Sequence, residues 1–142
     1  MTGIDANLLV ALAAESHPSH SQAVTVFERE LAADEEFALS LSVAAEFLHA
    51  VSDPRRLTPA LEVTDAIRWL REWSTEVVPI WLTSNDEAIE RWLKWMTDLQ
   101  LGRKRILDTQ YAALLHARGV RRLLTNNAGD FRVFNVFEIV TF

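Results

Sequence analysis

Four carboxylates in this 142-residue sequence stand where chemistry could be done: Asp5, Glu46, Asp108 and Asp130. Asp5 closes a very short apolar stretch ending at Ile4. Glu46 lies one helical turn beyond the apolar run that ends near Leu41, Asp108 falls in the first turn of a helical segment, and Asp130 lies in a polar loop after Leu123-Leu124. In open α/β sheets the ligand crevice lies beyond the carboxyl ends of the strands, so polar residues that follow strands are the first candidates for a site. Carboxylates gathered there supply the hard oxygen ligands that Mg²⁺ or Mn²⁺ prefers, and their mutual repulsion raises their pKa values when no cation is present.

Each carboxylate also has a purely structural reading. Asp5 can serve as an N-cap for the helix beginning near Asn7. Glu46 shares a helical face with His49 and Asp53, which is also the pattern of a solvated polar stripe. Asp130, within Thr125-Asn126-Asn127-Ala128-Gly129-Asp130, suits a turn. Asp108 differs, because its face continues through the apolar Tyr111, Ala112 and Leu115. A helix-dipole gain of ~0.3 to 1 kcal/mol is small against the cost of burying an unpaired charge. A metal ion or a basic neighbour resolves that imbalance.

The rest of the composition narrows the chemistry. There are no cysteines, which removes thiol nucleophiles, thiolate metal sites and disulfides. No nucleophile elbow, P-loop, dinucleotide-binding glycine pattern or zinc signature is present, and His17, His20, His49 and His116 read as surface or partly buried residues. The net charge of -6 runs against phosphate binding, yet residues 103 to 132 carry seven basic against two acidic side chains, a local balance of +5. A solvated basic surface accounts for that run equally well. The N-terminus lacks a basic and apolar leader and no run approaches a membrane span, so a cytoplasmic protein is expected.

The elements that must position the candidates follow from periodicity and caps. A strand ends at Ile4-Asp5 and a helix runs from Leu8 to Glu15; Ala23, Val26, Phe27 and Leu31 mark a second helix, and Phe37 to Leu41 a strand. Ser42 is the expected N-cap of a helix reaching about Ser52, where Asp53-Pro54 stops it. Thr58-Pro59 predicts a helix from Ala60 to Trp73, with Thr58 as cap and Pro59 at the first position. Val77 to Leu82 is β-rich, and Ser84 to Glu87 reads as a capping box for a helix ending at Gly102. A further helix spans Ile106 to Arg118 with Gly119 behind it. Leu123-Leu124 and Val136 to Val140 complete the strands. The tryptophans at 69, 73, 92 and 95 lie on helical stripes, which favours core or dimer packing over base stacking. Strands alternating with helices predict one α/β domain over residues 1–142, a mostly parallel sheet of four to five strands with helices on both faces.

The order Ile4-Asp5-Ala6-Asn7-Leu8-Leu9, Ala45-Glu46-Phe47, Leu107-Asp108-Thr109-Gln110-Tyr111-Ala112-Ala113 and Leu124-Thr125-Asn126-Asn127 with Asp130-Phe131 resembles the PIN-domain family, specifically VapC-type toxin ribonucleases. The resemblance spans essentially the whole chain. It implies a Mg²⁺-dependent endoribonuclease, with Mn²⁺ as a possible substitute, that is silenced by a VapB-type antitoxin and usually dimerises. Asp5, Glu46 and Asp108 match the family's first three acidic positions, Asp5 and Asp108 being the expected direct metal ligands with Glu46 beside them. Asn7 and Thr125 match supporting polar positions. The chain departs at Asn127, where relatives often carry Asp, and Asp130 is the expected substitute. Arg103, Lys104 and Arg105 are candidates for RNA phosphate contacts. Two rivals follow from the same residues: a catalytically weak PIN module that binds RNA or a partner without cutting, and a haloacid-dehalogenase-like phosphohydrolase. The second normally needs Asp where this chain has Asn7.

Overall fold

A computed structural model describes residues 1–142. Five short strands form one parallel sheet: β1 (Thr2–Ile4), β2 (Phe37–Ser40), β3 (Ile80–Leu82), β4 (Arg122–Leu124) and β5 (Glu138–Val140). Their spatial order is β3-β2-β1-β4-β5. The chain therefore steps outward from β1 through β2 to β3, then crosses to β4 and continues to β5. Right-handed crossovers put the helices of the first half on one face and those of the second half on the other. On the first face α1 (Ala6–Ala13) packs against α2 (His20–Ala32) and α3 (Leu41–Val51), and α3 against α4 (Val63–Val77). On the second, α5 (Asp86–Asp98) packs on α6 (Ile106–Ala117), which also meets the short α7 (Ala128–Arg132). A single cluster of 28 buried residues joins both faces, so one core serves the whole chain.

The expected architecture of a parallel sheet sandwiched by helices holds, and five strands are present. Several boundaries move, each for a local reason. Ser40 rather than Ser42 caps α3, because β2 ends at Ser40 and its hydroxyl accepts from the Val43 N–H at 3.3 Å. The helix expected from Ala60 starts at Val63. Residues before it are drawn back over the end of α3, where Leu57 is buried and the Leu61 N–H donates to the Val51 carbonyl at 3.0 Å. Helix α4 consumes Val77, and the left-handed Val78 turns the chain ahead of Pro79, so β3 shortens to Ile80–Leu82. Asn85, not Ser84, caps α5 by accepting from the Ala88 N–H at 2.9 Å.

That helix ends at Asp98 rather than at Gly102. Gln100 adopts a positive φ of 50°, and the Leu101 and Gln100 N–H groups reach back to the Met96 and Thr97 carbonyls in a Schellman arrangement. Gly119 does the equivalent job after α6, with φ of 78°. The loop expected around Asp130 contains α7, so Asp130 is a helical residue. The tryptophans are mainly structural: Trp69 and Trp73 pack on Phe47 and Phe27, and Trp95 stacks on Phe134.

Gly3 and Tyr111 set the spacing between the sheet and α6. A Cβ at Gly3 would lie 2.8 Å from a Leu115 methyl, so any larger residue there makes the buried Leu115 side chain or the helix shift. The Tyr111 hydroxyl donates to the Ile4 carbonyl at 2.6 Å, and both groups are buried. Burial, and secondarily the charge of Asp5, push the Tyr111 phenol well above its usual pKa, which keeps it a donor.

Candidate active site

The sheet order reverses between β1 and β4, and such a reversal opens a crevice at the carboxyl ends of the two strands. Ile4 pairs in register with Leu124, so the next residues, Asp5 and Thr125, emerge side by side. Asp5 is 8% exposed and caps α1, its Oδ1 accepting from the Ala6 N–H at 2.7 Å. Its Oδ2 accepts from the Thr125 hydroxyl at 2.5 Å and from the Asn7 amide at 2.9 Å. Thr125 Oγ1 in turn accepts from Asn7 Nδ2 at 3.1 Å and from the Asn127 N–H at 2.9 Å. The capping role and a ligand role for Asp5 are thus compatible. One carboxylate is held in a fixed orientation by three neighbours at the head of the crevice.

Asp108 is the third residue of α6, one turn before Tyr111, so the Tyr111–Ile4 hydrogen bond that seats α6 on β1 also brings Asp108 to the cleft that Asp5 lines. Glu46 is the sixth residue of α3, whose start is fixed by the Ser40 cap. Asp5, Glu46 and Asp108 line one cleft of about 490 Å³, together with His49, Arg56 and Gln110. Their electrostatics agree with that proximity. Burial raises the Asp5 carboxyl to about 6, partly opposed by the Thr125 hydrogen bond and reinforced by the charge of Glu46. Glu46 is raised first by partial burial and then by Asp108; Asp108 is raised first by burial and then by Asp130 and Asp5.

Asp130 takes a different position. It does not line this cleft but lies beside Asp108, whose pKa its charge raises more than that of Asp5 does; it is 3.2 Å from Arg105 Nη1, and Arg105 also donates to the Asp130 backbone carbonyl. The same guanidinium approaches Asp108 at 3.7 Å and pulls its pKa in the lowering direction. Arg105 is thus the basic neighbour that the sequence called for beside Asp108. Arg103 and Lys104 form the exposed part of the same 3₁₀ turn. The basic excess of residues 103 to 132 is split between two places: Arg122, at the start of β4, pairs with Glu30 and Glu138 at the end of the sheet opposite Asp5.

No three carboxylates or imidazoles converge tightly enough to form a closed cage for a metal. The donor set nevertheless suits Mg²⁺, which usually takes one or two carboxylates and keeps several waters. Asp5 and Asp108 face one cleft, repel each other and consist of hard oxygen donors. Gly3, Tyr111 and Arg56 are site residues that sequence reasoning did not single out. A glycine inside a β1 strand beside an invading helix was the available signal for the first.

The chain belongs to the PIN domain family, whose model matches residues 4–135. Among solved structures it resembles VapBC2 from Rickettsia felis bound to a DNA fragment of its promoter, with TM-score 0.68 and 16% identity, covering 99% of this chain and 98% of that one. VapBC-1 from nontypeable Haemophilus influenzae gives TM-score 0.67 and 16% identity over 99% and 96% of the two chains. VapC20 of Mycobacterium tuberculosis, described as a sarcin-ricin loop cleaving toxin, gives 0.60 and 16% over 87% of each. No curated protein matches the sequence. At these identities the structural likeness establishes the shared fold. No helix is long and apolar enough to cross a membrane.

Proposed function

We propose that this PIN domain is a Mg²⁺-dependent endoribonuclease acting as the toxin of a VapBC-type pair in the cytoplasm. The observation that carries the reading is the meeting of Asp5, Glu46 and Asp108, from three distant parts of the chain, in one cleft where burial and mutual repulsion raise all three pKa values. Such a cluster is costly to maintain unless a cation neutralises it. Asp5 and Asp108 would hold the ion, Mn²⁺ serving in place of Mg²⁺. When bound, the ion orients and acidifies water and offsets charge on the scissile phosphate.

The chain's own residues have separable duties. Thr125 and Asn7 fix the rotamer of Asp5 by hydrogen bonding the oxygen Oδ2, leaving Oδ1 on the Ala6 N–H. Glu46, whose pKa is raised by partial burial and the charge of Asp108, would accept a proton from the attacking water. Arg103 and Lys104 stand exposed for flanking phosphates, whereas Arg105 is engaged by Asp108 and Asp130. A VapB-like antitoxin would silence the protein by covering this cleft, and homodimerisation accompanies the reading. The similarity to two VapBC structures supports the partner class.

The test is cleavage of an RNA panel by the wild type and Asp108→Asn, with Mg²⁺ and with EDTA. Mg²⁺-dependent cleavage lost in the variant supports the assignment. Metal-independent cleavage, or equal cleavage by both proteins, contradicts it, and binding without cleavage favours the non-cutting module.

A further inference from the structure

A second, smaller cleft of about 220 Å³ adjoins the carboxylate cleft, and Glu46 and Arg56 line both. Val10, Ala50 and Leu57 give it apolar walls, and His17 and Asn127 add polar groups. Pockets that enclose whole drug-sized ligands run to ~300–1,000 Å³, so this one suits a single flat ring system.

The His17 ring and the Asn127 backbone are held before any ligand arrives. His17 sits in the connection between α1 and α2, its N–H donating to Ala14 and its carbonyl accepting from His20, both at 2.9 Å. Its Nδ1 accepts from the Ser19 N–H at 3.1 Å, which in the neutral ring leaves Nε2–H as a donor. The Asn127 backbone is held through its N–H to Thr125 Oγ1, the atom that also orients Asp5, and its exposed carboxamide keeps both donor and acceptor capacity. Arg56 Nε lies 3.9 Å from Asp53, and the side chain is 57% exposed, so its charge faces the solvent between the two clefts.

We infer that the smaller cleft is a subsite for one unstacked nucleobase of single-stranded RNA, the nucleotide adjoining the scissile phosphate. This rests on the nuclease reading of the larger cleft. A strand laid across both clefts passes Arg56, which takes the linking phosphate as a charged hydrogen-bond partner. The base leaves the stack, lies against Val10, Ala50 and Leu57, and presents its edge to His17 and Asn127, as single-stranded RNA is generally read. An uncharged Asn at position 127 also spares the base edge a second carboxylate beside Glu46. His17 and Asn127 are therefore specificity-determining residues rather than catalytic ones.

The test uses the full chain and a Mg²⁺-cleaved RNA in which each nucleotide flanking the cut is made abasic in turn. In the wild type, one position should lower kcat/KM by roughly ten- to hundredfold, the size of a lost base-edge contact pair. In His17→Ala/Asn127→Ala that penalty should shrink to the roughly few-fold effect of the apolar walls alone, a ratio that a merely weakened fold does not change. Wild-type cleavage indifferent to every abasic position overturns the subsite and leaves the nuclease reading intact, as does a double variant that keeps the wild-type ratio. If the wild type cuts no RNA, the nuclease reading falls. The subsite is then decided by titrating the four nucleoside 5′-monophosphates while following the His17 ring by NMR: selective shifts sustain it, and no shift at millimolar ligand overturns it.

Discussion

Replacing Thr125 with valine removes one oxygen from a fully buried hub with little change of shape. In the wild type that oxygen donates to Asp5 Oδ2 at 2.5 Å and accepts from Asn7 and from the Asn127 N–H. A hydrogen bond to a charged group contributes about 1.5 to 3 kcal/mol. One pH unit of pKa corresponds to about 1.4 kcal/mol, so losing the Thr125 bond should raise the Asp5 pKa by about one to two pH units. Since Asp5 already ionises near 6, the variant carboxyl is largely protonated at neutral pH. Mg²⁺ binding at pH 7 should fall by about two- to tenfold and recover as pH is raised towards 9. The assay is calorimetric Mn²⁺ or Mg²⁺ binding between pH 5 and 9, with the Asp5 carboxyl carbon followed by NMR. An Asp5 that titrates near 4 in the wild type, or an unchanged metal affinity profile in Thr125→Val, refutes the reasoning.

Other expectations follow from the same geometry. Because the folded-state pKa of Asp5 is raised, the folded protein holds this proton more tightly than the unfolded chain. Stability therefore falls as pH rises from about 4 to about 6, by about 3 kcal/mol from Asp5 alone without metal. Mg²⁺ should accordingly raise the thermal midpoint more at pH 8 than at pH 5; equal increments at both would contradict a buried carboxylate as ligand. Arg105→Ala removes a partly exposed cation from Asp108 and Asp130, so divalent-cation affinity should increase, by up to about fivefold for a pair of this exposure. Weaker cation binding would show that Arg105 supports the site rather than competing for it. Gly3→Ala forces a methyl against Leu115, and denaturant unfolding should show a loss of about 1 to 3 kcal/mol, with no loss if α6 can withdraw freely.

Much of this architecture was legible because it is written in local chemistry. The alternation of apolar runs with helical stripes gave the parallel sheet, and Asp5, placed after a strand and before a helix, carried its position on its face. Asp108 was legible for a different reason: an acid heading an apolar stripe is anomalous until a cation or basic partner is supplied. Helix starts were less legible. Ser40 and Ser42 are equivalent as cap residues, and only the length of β2 decides between them. The helix end at Gln100 was hidden because a non-glycine residue took the left-handed position while Gly102 lay two residues further on. Asp130 does stand near enough to Asp108 to raise its pKa, but its pairing with Arg105, 25 residues away, could not be read from the sequence. The spreading of the basic run to both ends of the sheet was equally beyond a linear count, since α6 and β4 separate Arg105 from Arg122.

Under the proposed function Asp5 and Asp108 share a divalent cation. Crystals grown with Mn²⁺ and measured at the manganese absorption edge locate that ion directly. One strong anomalous peak is expected between the two carboxylates, absent from Asp5→Asn crystals grown alike. A peak elsewhere on the molecule, or none at millimolar Mn²⁺ and pH 8, would contradict it.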